Sequence, residues 1–254
     1  FEAGMACVRP AARNYGVARA IGHHLENFMR DEGVAGIWAA CVTSHTFSQR
    51  IVPPGCQACL LLPGNTNPDL TQGQAQKQRN SILVMYRDLA RHTLKPTLYL
   101  PARHKTVMAE ILTGFGWQPE LLEEGEVRLH DSTQCSYDAN PQKERVIAKF
   151  TRFGSDFPAL IRERYNFFRT HGYAAVYAFL PLTDPYVIEA TRLLEDMGFF
   201  FNGIFPGTGQ GDAQLVLGFL NNQILDYDNI QILDEYGKKL KAYIQALDPE
   251  LQKL

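Results

Sequence analysis

The sequence lacks any long hydrophobic run, which limits the classes of protein it fits. No apolar stretch of the 254-residue chain approaches the roughly 20 residues that cross a bilayer, and no secretory leader is visible. The net charge of −2 gives no bias toward nucleic acid or anionic membranes. We expect a soluble, cytoplasmic protein with neither a nucleic acid nor a membrane among its partners.

Cysteine is scarce. Five cysteines at irregular spacing do not form the disulfide framework of a secreted scaffold. Cys56 and Cys59 make a Cys-x-x-Cys pair, but no second pair or nearby histidine completes a zinc site. We therefore expect reduced, mostly buried thiols and no metal cofactor.

The chain also lacks an initiator methionine. It begins at Phe1, and we interpret the sequence as a fragment of a longer protein. With 45% hydrophobic and 20% charged residues, the composition is that of a globular protein. The length suits one large or two small domains, and two small ones fit better.

The most informative stretch is a predicted strand-to-helix junction. Residues 3–8 are apolar and predict a strand, and apolar residues recur at helical spacing from Gly16 onward. Free N–H groups and the helix dipole make such a helix start a ready anion site. Gly16 lets a phosphate approach the main chain, Arg13 and Arg19 add positive charge, and no acidic residue competes for the donors. The alternative is an ordinary loop with surface arginines.

In this context the stretch closely resembles the acetyl-CoA pyrophosphate loop of the GNAT-type N-acetyltransferase superfamily. The family pattern V-x-P-x-x-R-x-x-G-x-G/A is met at every fixed position, by Val8, Pro10, Arg13, Gly16 and Ala18. The resemblance implies an α/β fold with a mixed sheet and acetyl-CoA as cosubstrate. The resemblance also implies that three strands and two helices of the first domain precede Phe1. The cofactor-binding residues it implies are Ala6, Cys7, Val8, Arg13, Asn14, Tyr15, Gly16, Val17, Ala18 and Arg19.

The next elements extend this resemblance. A helix from Gly16 to Arg30 leads to an apolar run at 35–43, which predicts a buried strand parallel to the first one. Residues 44–51 are similar to the family's N-x-x-A-x-x-x-Y helix, with His45 and Ser48 at the asparagine and alanine positions. A Pro-Pro pair at 53–54 interrupts the place of the family's tyrosine acid and limits the helix to about two turns. The strands of a closing hairpin are predicted at 56–62 and 81–88.

The same order of elements then returns. We predict strands at 97–100, 126–130, 145–151, 173–180 and 213–220, and helices at 103–112, 157–168, 187–197 and 230–247. Equivalent positions lie about 140 residues apart, which indicates an internal repeat. They are Val8 and Phe150, Gly33 and Gly172, and Gly55 and Gly198.

From this repeat we predict two tandem GNAT-like folds, the first truncated at its N-terminus. The predicted domains are residues 1–92, a degenerate second domain at 93–222, and a C-terminal helix and tail at 223–254. The second copy lacks the anion loop. Ser155 or Asp156 makes a good N-cap there, and a carboxylate at this position would repel a pyrophosphate. A glycine-rich stretch at 207–211 precedes a strand, so we interpret it as a hairpin loop and not as a nucleotide fingerprint.

The resemblance also implies a base for the attacking amine and donors for the tetrahedral intermediate. Glu2 lies on the first strand, where some family members place a glutamate base, and a solvated strand-edge glutamate is the alternative. Ser48 and His45 are candidate acid or positioning groups. His23 and His24 are expected to be surface residues.

Two functions remain open at this level. One is an acetyl-CoA-dependent N-acetyltransferase acting on an amine of a small molecule or a protein, and the other is a non-catalytic acyl-CoA-binding sensor or interaction module. The strand edge at 2–8 needs a cover, which we expect from upstream sequence, a homodimer partner or the second unit.

Overall fold

The computed structural model describes residues 2–4, 8–68, 78–90, 95–207 and 210–253. The helices are Val17–Asp31 (α1), Phe47–Ile51 (α2), Lys105–Gly114 (α3), Phe157–Thr170 (α4), Val187–Glu195 (α5) and Glu235–Leu247 (α6). The strands are Gly36–Val42 (β1), Gln57–Thr66 (β2), Asn80–Asp88 (β3), Thr97–Tyr99 (β4), Glu120–Leu122 (β5), Gln134–Asn140 (β6), Arg145–Arg152 (β7), Ala175–Pro181 (β8), Phe200–Phe205 (β9) and Gln214–Leu220 (β10).

One mixed, curled sheet of eight strands organises these elements. Its order is β1-β3-β2-β9-β10-β8-β7-β6. The pair β7–β8 is parallel, and the other neighbouring pairs in this sheet are antiparallel. A separate two-stranded sheet joins β4 and β5 in parallel. The expected mixed α/β class is therefore confirmed at this coarse level, and the domain boundaries stay a prediction.

The chain follows the same path twice. We call residues 2–88 the first repeat and residues 145–220 the second repeat. In the first repeat α1, β1, α2, β2 and β3 follow in order, and β3 inserts between β1 and β2. In the second repeat α4, β8, α5, β9 and β10 do the same, with β10 between β8 and β9. The internal repeat predicted from glycine spacing is thus present as topology.

The glycines that marked the repeat have a conformational reason. Gly33 and Gly172 have φ of 68° and 76°, and each follows the helix after which the chain enters β1 or β8. Only glycine adopts this left-handed region without strain, so each ends a helix and redirects the chain into a strand.

The two repeats meet edge to edge at the pair β2–β9, which we call the central seam. Leu60 pairs with Gly203, and these residues are 143 positions apart, as are Gly55 and Gly198. Equivalent positions therefore face each other, as an approximate two-fold axis requires. One residue bulges just before the pair in each repeat, Cys59 in β2 and Asn202 in β9.

Gly203 controls how closely the seam strands approach. Its φ is 134°, and a Cβ placed there would lie 2.3 Å from the carbonyl oxygen of Cys59. Because that neighbour is main chain, it cannot move aside as a flexible side chain would. Helix α6 packs across both β2 and β9 and covers the seam with the buried side chains of Leu240 and Ile244.

Two polar groups tie distant segments of the fold together. The guanidinium of Arg79, which is 6% exposed, donates to the carbonyl oxygen of Gly64 at 2.8 Å and to the Glu144 carboxylate at 2.7 Å. The fully buried His104 contacts Glu195 through Nε2 and the Tyr243 hydroxyl through Nδ1, each at 2.8 Å. The ion pair of Arg79 with Glu144 links the first repeat to the turn just before the second. The two contacts of His104 link α5 to α6.

Some predicted elements differ from the structure. The strand expected at 126–130 is wrong, because only His130 forms an isolated bridge, to Gly154. The chain instead forms β5 before this segment and β6 after it. Acidic residues at 123, 124 and 126 disfavour a strand there, whereas β6 alternates half-buried and exposed residues as an edge strand does.

Substituting the glycine at the seam provides a stability test. We expect Gly203→Ala to lower the free energy of unfolding by at least about 2 kcal/mol, because it adds backbone strain and a main-chain clash. The matched control is Gly211→Ala, since a Cβ at Gly211 meets no atom within 4 Å. Urea unfolding followed by circular dichroism measures both variants. Equal stabilities for the two would contradict this account of the seam.

Candidate functional site

The predicted anion loop lies at the start of α1. Asn14 and Gly16 have positive φ of 68° and 76°, and Gly16 is the N-cap residue. A Cβ on Gly16 would meet nothing within 4 Å, so the main chain here is open to a ligand. Tyr15 is 81% exposed beside it. This backbone is compatible with the predicted anion loop, and ligand binding by its residues stays a prediction.

The backbone donors of this helix start are uncommitted. The first turn of α1 contains no acidic residue, and no side chain caps it. Within the described part of the chain, the N–H groups of Val17, Ala18 and Arg19 have no acceptor. The side chain of Arg13 folds back, and its Nε donates to the carbonyl oxygen of Val8 at 3.2 Å. The arrangement offers main-chain N–H groups and two exposed guanidinium groups to an anion.

The predicted base lies beside β1. Glu2 forms a parallel bridge with Trp38, and the Ala3 N–H donates to the Trp38 carbonyl oxygen at 2.8 Å. The expected parallel pairing of the first strand with β1 is thus present at these residues. Glu2 is exposed. The cofactor-binding candidates Ala6 and Cys7 lie outside the described residues.

His45 and Ser48 follow the carboxyl end of β1. The Ser48 hydroxyl donates to the carbonyl oxygen of Val42 at 3.5 Å and also contacts the Cys41 thiol. Burial raises the pKa of Cys41 to about 11, and the Ser48 contact lowers it only in part. The His45 ring packs 5.0 Å from that of Phe47, and its buried Nδ1 has no partner in the described chain.

Glu2 pairs near the start of β1, whereas His45 and Ser48 follow its carboxyl end, so the structure does not bring these candidates into contact. The carboxyl ends of parallel strands meet at one edge, so the loop after β1 lies on the side of the α1 start. No hydrogen bond or ion pair joins Glu2 with His45 or Ser48 among the described contacts. Helix α2 has five residues, as the following Pro-Pro pair predicted.

The equivalent helix start in the second repeat is closed. The Gly154 N–H donates to the Thr133 hydroxyl at 3.0 Å, and the Ser155 N–H donates to the carbonyl oxygen of His130 at 2.8 Å. A Cβ on Gly154 would lie 2.3 Å from the main chain of Ser132. Residues 130–133, which we call the covering segment, thus cover the turn that precedes α4. Within the first turn of α4 itself, the N–H groups of Phe157 and Ala159 donate to the carbonyl oxygens of Gly154 and Asp156, and Pro158 has no N–H.

Asp156 contributes to this closure in a way the sequence did not predict. It occupies the N-cap position of α4, but its side chain caps no helix N–H. Its carboxylate instead accepts hydrogen bonds from the hydroxyl and the N–H of Thr133, both at 2.7 Å. The prediction of a carboxylate cap is wrong in this respect, because Thr133 supplies two converging donors.

The pH dependence of the covering segment follows from Asp156. The Thr133 hydroxyl and N–H hold the pKa of Asp156 below its usual value. A lowered folded pKa adds stability above the unfolded pKa and loses it as the pH falls through the folded value. We therefore expect hydrogen exchange at the Thr133 amide, corrected for its intrinsic rate, to accelerate below about pH 4.

Asp156→Ala removes this pH dependence in our expectation, whereas the control Asp131→Asn retains it. Asp131 lies in the covering segment, and its substitution leaves the Asp156 carboxylate in place. An unchanged acid dependence of exchange in Asp156→Ala would contradict the assignment.

A cleft lies between the two repeats. Strands β7 and β8 pair from Arg145 to Lys149, and both continue beyond the last pair, Lys149 with Phe179. A cavity of about 640 Å³ opens there. The first repeat contributes Trp38 and Tyr86 to it, and the second contributes Lys149, Thr151, Pro181, Thr183, Phe205 and Gln214. Sequence analysis assigned no role to these residues, since only the curled sheet brings them together.

The described residues contain neither a metal-binding cluster nor a membrane-spanning helix. No group of three or more histidine, cysteine, aspartate or glutamate residues there is placed to hold a metal ion. No helix in those parts of the chain is both long and apolar enough to cross a membrane. The glycine-rich stretch at 207–211 joins the antiparallel strands β9 and β10, as the predicted hairpin requires.

Comparisons with protein-family models, with curated proteins and with solved structures gave no match.

Proposed function

We propose that the protein is an acetyl-CoA-dependent N-acetyltransferase that acetylates an amine of a small molecule or a protein. The observation that carries the proposal is the contrast between two equivalent helix starts. The start of α1 keeps free N–H groups beside Gly16. At the start of α4 the N–H groups of Phe157 and Ala159 donate to nearby carbonyl oxygens, and the covering segment lies on the preceding turn. One repeat would bind the cofactor, and the other would serve as a degenerate partner.

The residues of the open loop fit a pyrophosphate. N–H groups of Val17, Ala18 and Arg19 would donate to its oxygens, and the guanidinium groups of Arg13 and Arg19 would offset its charge. Asn14, Tyr15 and Gly16 form the turn that brings the main chain close. The segment that includes Ala6, Cys7 and Val8 would receive the pantetheine arm. Acetyl-CoA supplies, when bound, the thioester carbonyl that an amine attacks.

The protein's own groups would manage the proton. Glu2 is exposed and pairs with Trp38 of β1 through an isolated parallel bridge. Its carboxylate would accept a proton from the amine, directly or through water. His45 and Ser48 lie after the carboxyl end of β1 and would position the acceptor or the leaving group.

A second candidate, a non-catalytic acyl-CoA-binding sensor or interaction module, is favoured by three observations. The Ser48 hydroxyl donates its hydrogen bond to the Val42 carbonyl oxygen. Pro53 and Pro54 interrupt the region where the family has its tyrosine acid. Ile21 and Phe28 of α1 are 53% and 50% exposed, which leaves an apolar surface on the helix that carries the loop. No described residue of the second repeat pairs with residues 2–4. We therefore propose that upstream sequence or a homodimer partner pairs with the open backbone edge of residues 2–4.

Cofactor binding is tested at Gly16. We expect calorimetric titration of acetyl-CoA to show micromolar binding to the parent chain and at least tenfold weaker binding to Gly16→Asp, because bulk and negative charge enter the pyrophosphate position. The matched control is Gly33→Asp at the other end of α1. Gly33 also has positive φ and open space at its Cβ, so backbone strain is similar. Equal losses in both variants would count against the loop.

Turnover distinguishes the two candidate functions. A panel of amines is incubated with acetyl-CoA, and chromatography quantifies CoA release above hydrolysis. For the enzyme, we expect Glu2→Gln to lower kcat by about 100-fold, since a general base contributes at least that much, while the surface control Glu32→Gln retains activity. Binding of acetyl-CoA with no turnover on any amine would instead support the sensor.

A further inference from the structure

The cleft between the repeats has a continuous aromatic wall. The rings of Trp38 and Phe205 pack edge to face with centroids 5.4 Å apart, and Phe205 packs against Phe179 at 5.7 Å. Trp38 belongs to the first repeat and the two phenylalanines to the second. Both Trp38 and Phe205 are partly exposed where they line the cavity, so they offer ring surface to a flat ligand.

One cation stands at the end of this wall. The ammonium nitrogen of Lys149 lies 5.9 Å from the centroid of the Phe179 ring. Lys149 is exposed and lines the cavity, and no carboxylate of the described residues pairs with it. An ammonium group that has only a ring face for a neighbour retains its capacity to bind an anion.

The surroundings of Lys149 select the kind of anion. A phosphate or nucleotide is commonly held by several N–H groups at a helix start together with its cation, and no α-helix begins among the described residues that line this cavity. Asp212 also lines the cavity and is engaged by another group, so it disfavours a second negative charge on the ligand. A single ammonium matches a single carboxylate.

We propose that this cleft binds a monoanionic aromatic carboxylate, with its carboxylate on Lys149 and its ring against Trp38 and Phe205. The hydroxyls of Thr151 and Thr183 border the same cavity and supply hydrogen bonds for polar substituents. None of these residues belongs to the α1 loop. The inference therefore goes beyond acetyl transfer and does not require it.

The probes for the test are 4-fluorobenzoate and its uncharged analogue 4-fluorobenzamide, observed by fluorine NMR during titration of the whole chain. We expect saturable binding of 4-fluorobenzoate and at least tenfold weaker binding of 4-fluorobenzamide. Lys149→Gln should remove this preference for the anion, and Lys149→Arg should retain it. Trp38→Leu should weaken both probes, because the ring wall serves each of them.

The matched control is Lys143→Gln. Lys143 lies in the turn that precedes β7, so the variant removes the same charge from the opposite end of that strand. It should bind 4-fluorobenzoate as the parent does. Circular dichroism melting verifies that each variant is folded.

Three results would overturn the proposal: no saturable binding of 4-fluorobenzoate, equal affinity for the two probes, or equal losses in Lys149→Gln and Lys143→Gln. Gly16→Asp separates this site from the proposed cofactor site. We expect that variant to bind 4-fluorobenzoate as the parent does. The cleft proposal would then hold even if the acetyl-CoA proposal fails.

Discussion

The close approach of two strands at the central seam is the constraint on which the rest of the molecule depends. Gly203 lets the main chains of β2 and β9 come within a distance that no Cβ would permit. That contact joins the three strands of the first repeat to the strands of the second repeat in one sheet. Because the strands share only this short pairing, the two units can diverge on one side and leave a cleft lined by both.

The two repeats show how one topology can support different surfaces. Each repeat presents the start of a helix, and this helix leads to a strand that a later strand joins. In the first repeat the N–H groups at that start are free. In the second, the N–H groups of the first helical turn donate to nearby carbonyl oxygens, and Thr133 and His130 accept from the N–H groups of the turn before the helix. Buried donors need partners, so a degenerate anion site is stable only when protein fills it.

The covering segment closes the turn before α4, but a cleft that could bind a different ligand remains next to it. Strands β7 and β8 still part after Lys149, and the opening is walled by rings and carries a lone ammonium group. The same separation of parallel strands beside an open helix start would suit a long cofactor with a pyrophosphate. Beside a closed start it suits a small, flat ligand with one charge.

The sequence by itself determined most helices and strands, the internal repeat and the loop before α1. Each of these depends on local periodicity, on glycines at positive φ or on residues within one turn of a helix. Only the tertiary structure decided that Asp156 holds the covering segment, that Gly203 lies at the seam and that Trp38 and Lys149 share a cleft. The physical reason is sequence distance: Trp38 and Lys149 are more than 100 residues apart, and no local pattern specifies which backbone or ring a side chain will meet across a curled sheet.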